Sequence, residues 1–335
     1  MDQNNNEPTR IEYEYPHFSY VAFSNLLDFL LCTLLCLMIF IGTKTIAENT
    51  NSYTKTNEDF DTLKVESNLY LLSEDKSRIQ DIVTFYNASS NYSQSEMESD
   101  LSSRIDGFIL FMESNASQSD YLVIKATYDD FRVSDSLTYN GLSYFVINDG
   151  VISKNSAAEI PSKEYVENVY KYYIDNYALG QFVSKCEEAL NYQKYFSNCL
   201  FFIEIPIAFI SSIIIYFYII PLCLSRGKKT IGKLVFHIAT LNSKFLSPKF
   251  WQFTLNFVIF FLLECCLSVV SFLIPFIISF SMAAFGKKKQ NFHNYLTNFY
   301  LVDCSTLKIY KSKDEIVKDD LIVHTPIDFT LNKRE

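Results

Sequence analysis

Histidine is scarce in this chain: four residues, at positions 17, 237, 293 and 324, too scattered to suggest a metal centre. The eight cysteines include no C-x-x-C pair, so neither a zinc site nor a dithiol redox motif is indicated. No Ser-His-Asp or Cys-His constellation can be assembled, so an enzyme is not expected, nor a cofactor, nor a bound metal. Bases are outnumbered, 29 Lys and Arg against 38 Asp and Glu. With no soluble basic domain, nucleic-acid binding is not expected either. One stretch, in contrast, lacks acids altogether. Residues 225–250 carry Arg226, Lys228, Lys229, Lys233, Lys244 and Lys249 and no Asp or Glu.

What the chain does have is three apolar blocks, at 20–43, 198–224 and 251–286. A bilayer's hydrocarbon core takes roughly 20 apolar residues as a helix, so each of the first two suits one span. The third would be roughly 54 Å long as a single helix at 1.5 Å per residue, too long for one crossing. Pro275 and the Ser268–Ser271 region predict that it folds back, as two short spans or as a re-entrant pair. The 19 residues before the first block hold four acids and are unlike the leader of a cleaved signal, so this block is expected to remain as an anchor.

Lys and Arg near membrane ends set orientation. The basic segment 225–250 and the run Gly286-Lys287-Lys288-Lys289 should both face the cytoplasm, which requires an even number of crossings between them and favours the hairpin. The expected fold is an all-α transmembrane four-helix bundle, two spans plus a helical hairpin, with an α+β extracytoplasmic domain inserted between the first two helices. Its parts are a cytoplasmic N-terminal tail (1–20), helix 1 (21–43), the extracytoplasmic domain (44–197), helix 2 (198–224), a basic loop (225–250), the hairpin (251–286) and a cytoplasmic C-terminal tail (287–335). The expected location is the cell membrane, multi-pass, with both termini inside.

The inserted segment holds the chain's acidity: residues 45–197 carry 24 acids and 12 bases. Residues 58–87 and 95–114 read as amphipathic helices. Residues 143–153 read as a β-hairpin turning at Asn148-Asp149-Gly150. After Pro161 a long Tyr-studded helix is expected to run into the second span, its tyrosines serving as core positions or as a ligand platform. Cys186 and Cys199 would lie roughly 20 Å apart on one helix, beyond disulfide reach.

Residues 227–233 match the spacing G-x-x-x-x-G-K of a phosphate-binding loop. Such a loop follows a buried strand and ends in Ser or Thr. Here it follows a membrane span, and Leu234 stands where the hydroxyl should be, so a nucleotide site is not expected. Thr230-Ile231-Gly232-Lys233, with Lys229 before it, instead resembles the Gly-x-Thr-x-Gly-Lys loop of the RDD family of small membrane proteins. Asp28 in "SNLLDFLL" resembles the family's intramembrane aspartate, and 287–303, with His293 and Asn294, resembles its closing segment. The family is named for one arginine and two aspartates; Val21 stands at the arginine position and Asn294 at that of the second aspartate. The resemblance implies transport, since some members are reported as cation/proton exchangers.

Two acids fall well inside the apolar blocks: Asp28 about eight residues into the first and Glu264 about thirteen into the third. A charge at the bilayer centre costs about 2.5–3.5 kcal/mol on insertion scales and must be paired, protonated or wet. Asn25 and Asn256 are polar neighbours suited to such a network. Convergence of Asp28 and Glu264 would make an acid pair for a proton or small cation. Alternatively, Asp28 pairs with Lys229 or Lys233 at the cytoplasmic mouth and fixes topology, and Glu264 sits solvated at the hairpin turn. Thr230 is placed to cap a helix, and the lysines to face anionic lipid head groups. The expected function is an integral membrane protein of RDD type moving a small cation or proton. The alternative is a non-transporting envelope protein whose 44–197 domain binds or senses a partner. Four helices are few for a pathway, which suggests a homo-oligomer.

Overall fold

The computed structural model describes residues 9–73, 78–89, 91–224, 226–288, 290–306, 308–316 and 327–332. The chain divides into two compact units, one of residues 1–44 with 204–335 and one of residues 45–203. His324 lies outside the described residues.

Among the described residues, three helices are long and apolar enough to cross a bilayer: Phe18–Glu48, Glu187–Leu224 and Phe250–Val270, here called spans 1, 2 and 3. Their outward faces are bare Leu, Ile and Phe, the arrangement for a lipid solvent. The expected break in the third block falls at Ser271-Phe272-Leu273. Phe272 and Leu273 both adopt positive φ, 51° and 65°. The Leu273 amide donates to the Ser268 carbonyl at 2.8 Å, and the Ser268 hydroxyl accepts from Phe276 N at 3.2 Å. A second helix, Ile274–Phe285, then starts with Pro275 in its first turn, where the missing N–H costs nothing. It is 12 residues long, shorter than a bilayer core.

Two segments expected to be loop or tail have structure. Residues 225–250 contain the short helix Ile231–Val235 and the fully buried strand Ile238–Leu241. Residues 287–303 contain the helix Phe292–Leu296 and the strand Tyr300–Asp303. The two strands pair antiparallel, Ile238 opposite Asp303 and Leu241 opposite Tyr300. Ile238 and Leu301 pack with Val21 and Ala283, while Ala239, Leu241 and Val302 pack with Tyr13. The N-terminal tail also contributes a strand, Thr9–Glu14, parallel to Ile327–Asn332.

The unit of residues 45–203 has its own core. Helix Gln94–Asn115 opens with a capping box, Ser93 N donating to Glu96 Oε2 at 2.8 Å and Glu96 N to Ser93 Oγ at 3.3 Å. Leu101, Ile105, Phe108 and Met112 recur at helical spacing and pack with Val166, Val169, Tyr170 and Tyr173 of the helix spanning 162–185. The expected hairpin is present, Phe145–Asn148 with Val151–Lys154, turning at Asp149 (φ 52°) and Gly150 (φ 80°).

Two expectations here need correction. The helix predicted over 58–87 is instead Asn51–Glu66, stopped by Asn68 at φ 63°. A short hairpin (Tyr70–Leu72 with Ile79–Asp81) and a capped helix, Ile82–Ala88, follow. The long Tyr-studded helix is broken at Cys186 (φ −73°, ψ 117°), whose backbone bridges to Ala116, and only the part from Glu187 runs on into span 2. Cys186 and Cys199 are both free thiols.

Candidate functional site

The short helix and strand after span 2 form an arm, and a second arm of the same build follows helix Ile274–Phe285. In each, a five-residue helix ends in a residue near φ −95°. A left-handed residue comes next (His237 at φ 54°, Asn298 at φ 55°), and the chain then enters its strand. The correspondence extends to chemistry. The backbone N–H of the second helical residue, Gly232 in one arm and His293 in the other, donates to a carboxylate held within a span. Those carboxylates are Asp28 at 2.7 Å and Glu264 at 2.8 Å.

Asp28 lies ten residues past the start of span 1, about 15 Å along the helix. It is 3% exposed. Its Oδ1 also accepts from the Tyr216 hydroxyl of span 2 at 2.7 Å, and its Oδ2 from Thr230 Oγ1 at 2.5 Å. Three donors converge on a group that, when ionised, can only accept. Thr230 meanwhile caps its own helix, accepting from Lys233 N at 3.4 Å. Gly232 is required by close approach: a Cβ there would lie 2.3 Å from the Ser24 carbonyl and 2.7 Å from Asp28 Oδ1.

Glu264, 1% exposed, takes the His293 N–H and sits 2.7 Å from His293 Nδ1. It is therefore not solvated at the hairpin turn. Nearer the start of span 3, Asn256 donates to Asn294 Oδ1 at 3.0 Å and Thr297 Oγ1 at 2.8 Å. The Asn294 amide nitrogen is buried without a hydrogen-bond partner.

One cavity of about 880 Å³ in this unit is lined by Asn25, Asp28, Lys233, Asn256, Glu264 and His293 among apolar side chains. Asp28 and Glu264 therefore face the same space, each held by its own donors rather than by the other. Lys233 serves both: burial pulls its ammonium below the usual lysine range, and the charges of Asp28 and Glu264 pull it back up. Its Nζ reaches Thr240 Oγ1 at 3.4 Å. Lys233 is thus turned inward, away from the lipid head groups expected for it. Lys229 donates to Cys304 Sγ at 2.8 Å. Lys228 also lines the cavity, and its charged neighbour is Lys311.

Sequence reading found Asp28, Glu264, Lys233, Asn25 and Asn256 but missed Tyr216 and Ser279, which is placed to hydrogen-bond Glu264. A tyrosine inside an apolar block gave no signal of its own.

No curated protein and no solved structure matches this chain. The RDD family model matches residues 176–298, a stretch that holds span 2, the first arm, span 3, helix Ile274–Phe285 and the helix of the second arm. Over those residues, about a third of its length, the chain is similar to the RDD family.

Proposed function

We propose that the cavity between the two arms binds a small monovalent cation or a proton and exchanges one for the other across the membrane. The observation that carries this reading is that Lys233 lines one cavity with two buried carboxylates, Asp28 and Glu264, and its charge interacts with both. With histidine counted as neutral, the cavity's charged side chains, Asp28 and Glu264 with Lys228 and Lys233, balance one another. When Lys233 gives up its proton, one unit of negative charge is left where uncompensated charge is costly, so one cation enters as one proton leaves. Glu264 supplies the second acid that the family pattern would place at 294, where this chain has Asn.

The doubled arm also supports a four-helix arrangement. Helix Ile274–Phe285 holds the same place before its arm that span 2 holds before the first, and acts as the return leg of the hairpin. The basic segment and both termini then lie in the cytoplasm and residues 45–203 outside. Single cysteines placed at Tyr139 and Lys313 of a cysteine-free protein test this. The first should react with an impermeant maleimide on intact cells and the second only after permeabilisation; the reverse pattern contradicts the orientation.

Exchange itself is tested with purified protein in vesicles carrying a trapped pH dye. A sodium or potassium gradient should move protons, and Asp28→Asn and Glu264→Gln should each slow that movement at least tenfold. Correctly inserted protein that moves no protons under either gradient overturns the reading.

A second reading has one observation in its favour. Residues 45–203 form a core of their own, as a domain that binds a partner would.

A further inference from the structure

The unit of residues 45–203 contains a second cavity, of about 780 Å³, within the range of small-molecule sites. Its lining is unlike that of the membrane cavity. Five aromatic rings reach it (Phe131, Tyr139, Tyr144, Tyr172 and Tyr177) together with two carboxylates, Asp130 and Glu164, and no Lys, Arg or His.

The Tyr-studded helix explains why rings are available here. Tyr165, Tyr170 and Tyr173 are buried in the core, at 4% exposure or less, while Tyr172, one position away, is 49% exposed and faces the cavity. Phe131 stacks on Tyr172 with centroids 5.8 Å apart and planes 8° off parallel, and lies 5.8 Å from Tyr177. The rings are thus held in a fixed cluster by one another. Glu164 is held too: its Oε2 accepts from Asn168 Nδ2 at 2.7 Å, and the same amide reaches the Tyr144 hydroxyl at 3.4 Å. A pinned carboxylate beside clustered aromatic faces, with no basic side chain to neutralise it, is the environment that attracts an organic cation. The ring quadrupoles stabilise a cation by about 0.5–2 kcal/mol each, most when it is desolvated. An anion would be repelled by the charges of Asp130 and Glu164.

We infer that this cavity is a binding site for a protonated or quaternary amine, contacted by Tyr172 and the Phe131 cluster and oriented by Glu164. The site is independent of the exchange reading, since it uses no residue of the membrane cavity. It gives the 45–203 unit a ligand class of its own.

The test uses the full-length protein in detergent and equilibrium dialysis of labelled choline and spermidine, with maltose as an uncharged, hydroxyl-rich competitor. Choline or spermidine should bind saturably. Glu164→Gln and Tyr172→Ala should each weaken binding about tenfold, whereas Tyr172→Phe, which keeps the ring, should change it less than about threefold. Asp28→Asn should leave amine binding unaltered, so failure of the exchange reading and failure of this one are separable. Binding of neither amine overturns the inference. So does displacement by maltose, or amine binding that survives both Glu164→Gln and Tyr172→Ala.

Discussion

Alanine in place of Gly232 should cost the membrane unit about 3 kcal/mol, combining an overpacked core position with the loss of hydrogen bonds to a buried charge. The added Cβ would fall 2.3 Å from a backbone oxygen of span 1 and 2.7 Å from Asp28 Oδ1. Neither can yield cheaply, because Ser24 is fixed within a helix and Asp28 is tied to two other donors. The arm must therefore withdraw, and with it go the Gly232 N–H and Thr230 hydroxyl that satisfy the aspartate. The melting temperature in detergent, followed by loss of the monodisperse peak, should drop by roughly 5–10 °C. Gly42→Ala is the control. That glycine also sits inside span 1, but nothing lies within 4 Å of its would-be Cβ, so the change should be neutral or stabilising by up to about 1 kcal/mol. Equal melting of the two variants would mean that the arm does not press against span 1.

How much of this was legible in the sequence follows from how local each signal is. The apolar blocks announce the spans because twenty consecutive apolar residues have few other uses, and the break at 271–273 follows from Ser271 and Pro275. The turn at Asp149-Gly150 is equally local. The arms are not. Strand Ile238–Leu241 is four residues long, and its partner begins about sixty positions later. Nothing near "HIATL" announces a buried strand, so the basic residues around it dominated the reading. The equivalence of the two arms was hidden for a related reason. "TIGKLV" and "NFHNYL" share no residue at matching positions; what repeats is a backbone N–H at the second helical position, which any residue but proline supplies. Glu264 could be noticed as an acid in an apolar run, but its partner His293 comes from beyond the hairpin. Likewise, only the packed unit separates Tyr172 from Tyr173, since both lie on the same helix.

The second large effect concerns Lys233. Its charge interacts with both Asp28 and Glu264 in the cavity that an incoming cation would enter, so its loss should raise cation affinity. At an effective dielectric near 20, a unit charge about 5–6 Å away is worth about 3 kcal/mol, around two decades in binding. Desolvation and packing losses in Lys233→Met offset part of this, leaving an expected gain of at least tenfold. The same logic sets a pH dependence. Burial lowers the Lys233 pKa from its ordinary value, so the ammonium gives up its proton at a lower pH than an exposed lysine does. Cation binding by the unaltered protein should therefore tighten as pH rises toward that lowered value. His293 and Lys228 line the same cavity but remain in both proteins, so comparison of the two isolates Lys233.

Rubidium binding by purified protein, measured by equilibrium dialysis at pH 7 and pH 9.5, is the decisive measurement. Wild-type protein should bind more tightly at the higher pH. Lys233→Met should bind more tightly than wild type at pH 7 and change less between the two than wild type does. Identical pH dependence in both proteins, or weaker binding by Lys233→Met, would contradict a resident lysine that yields its place to a cation.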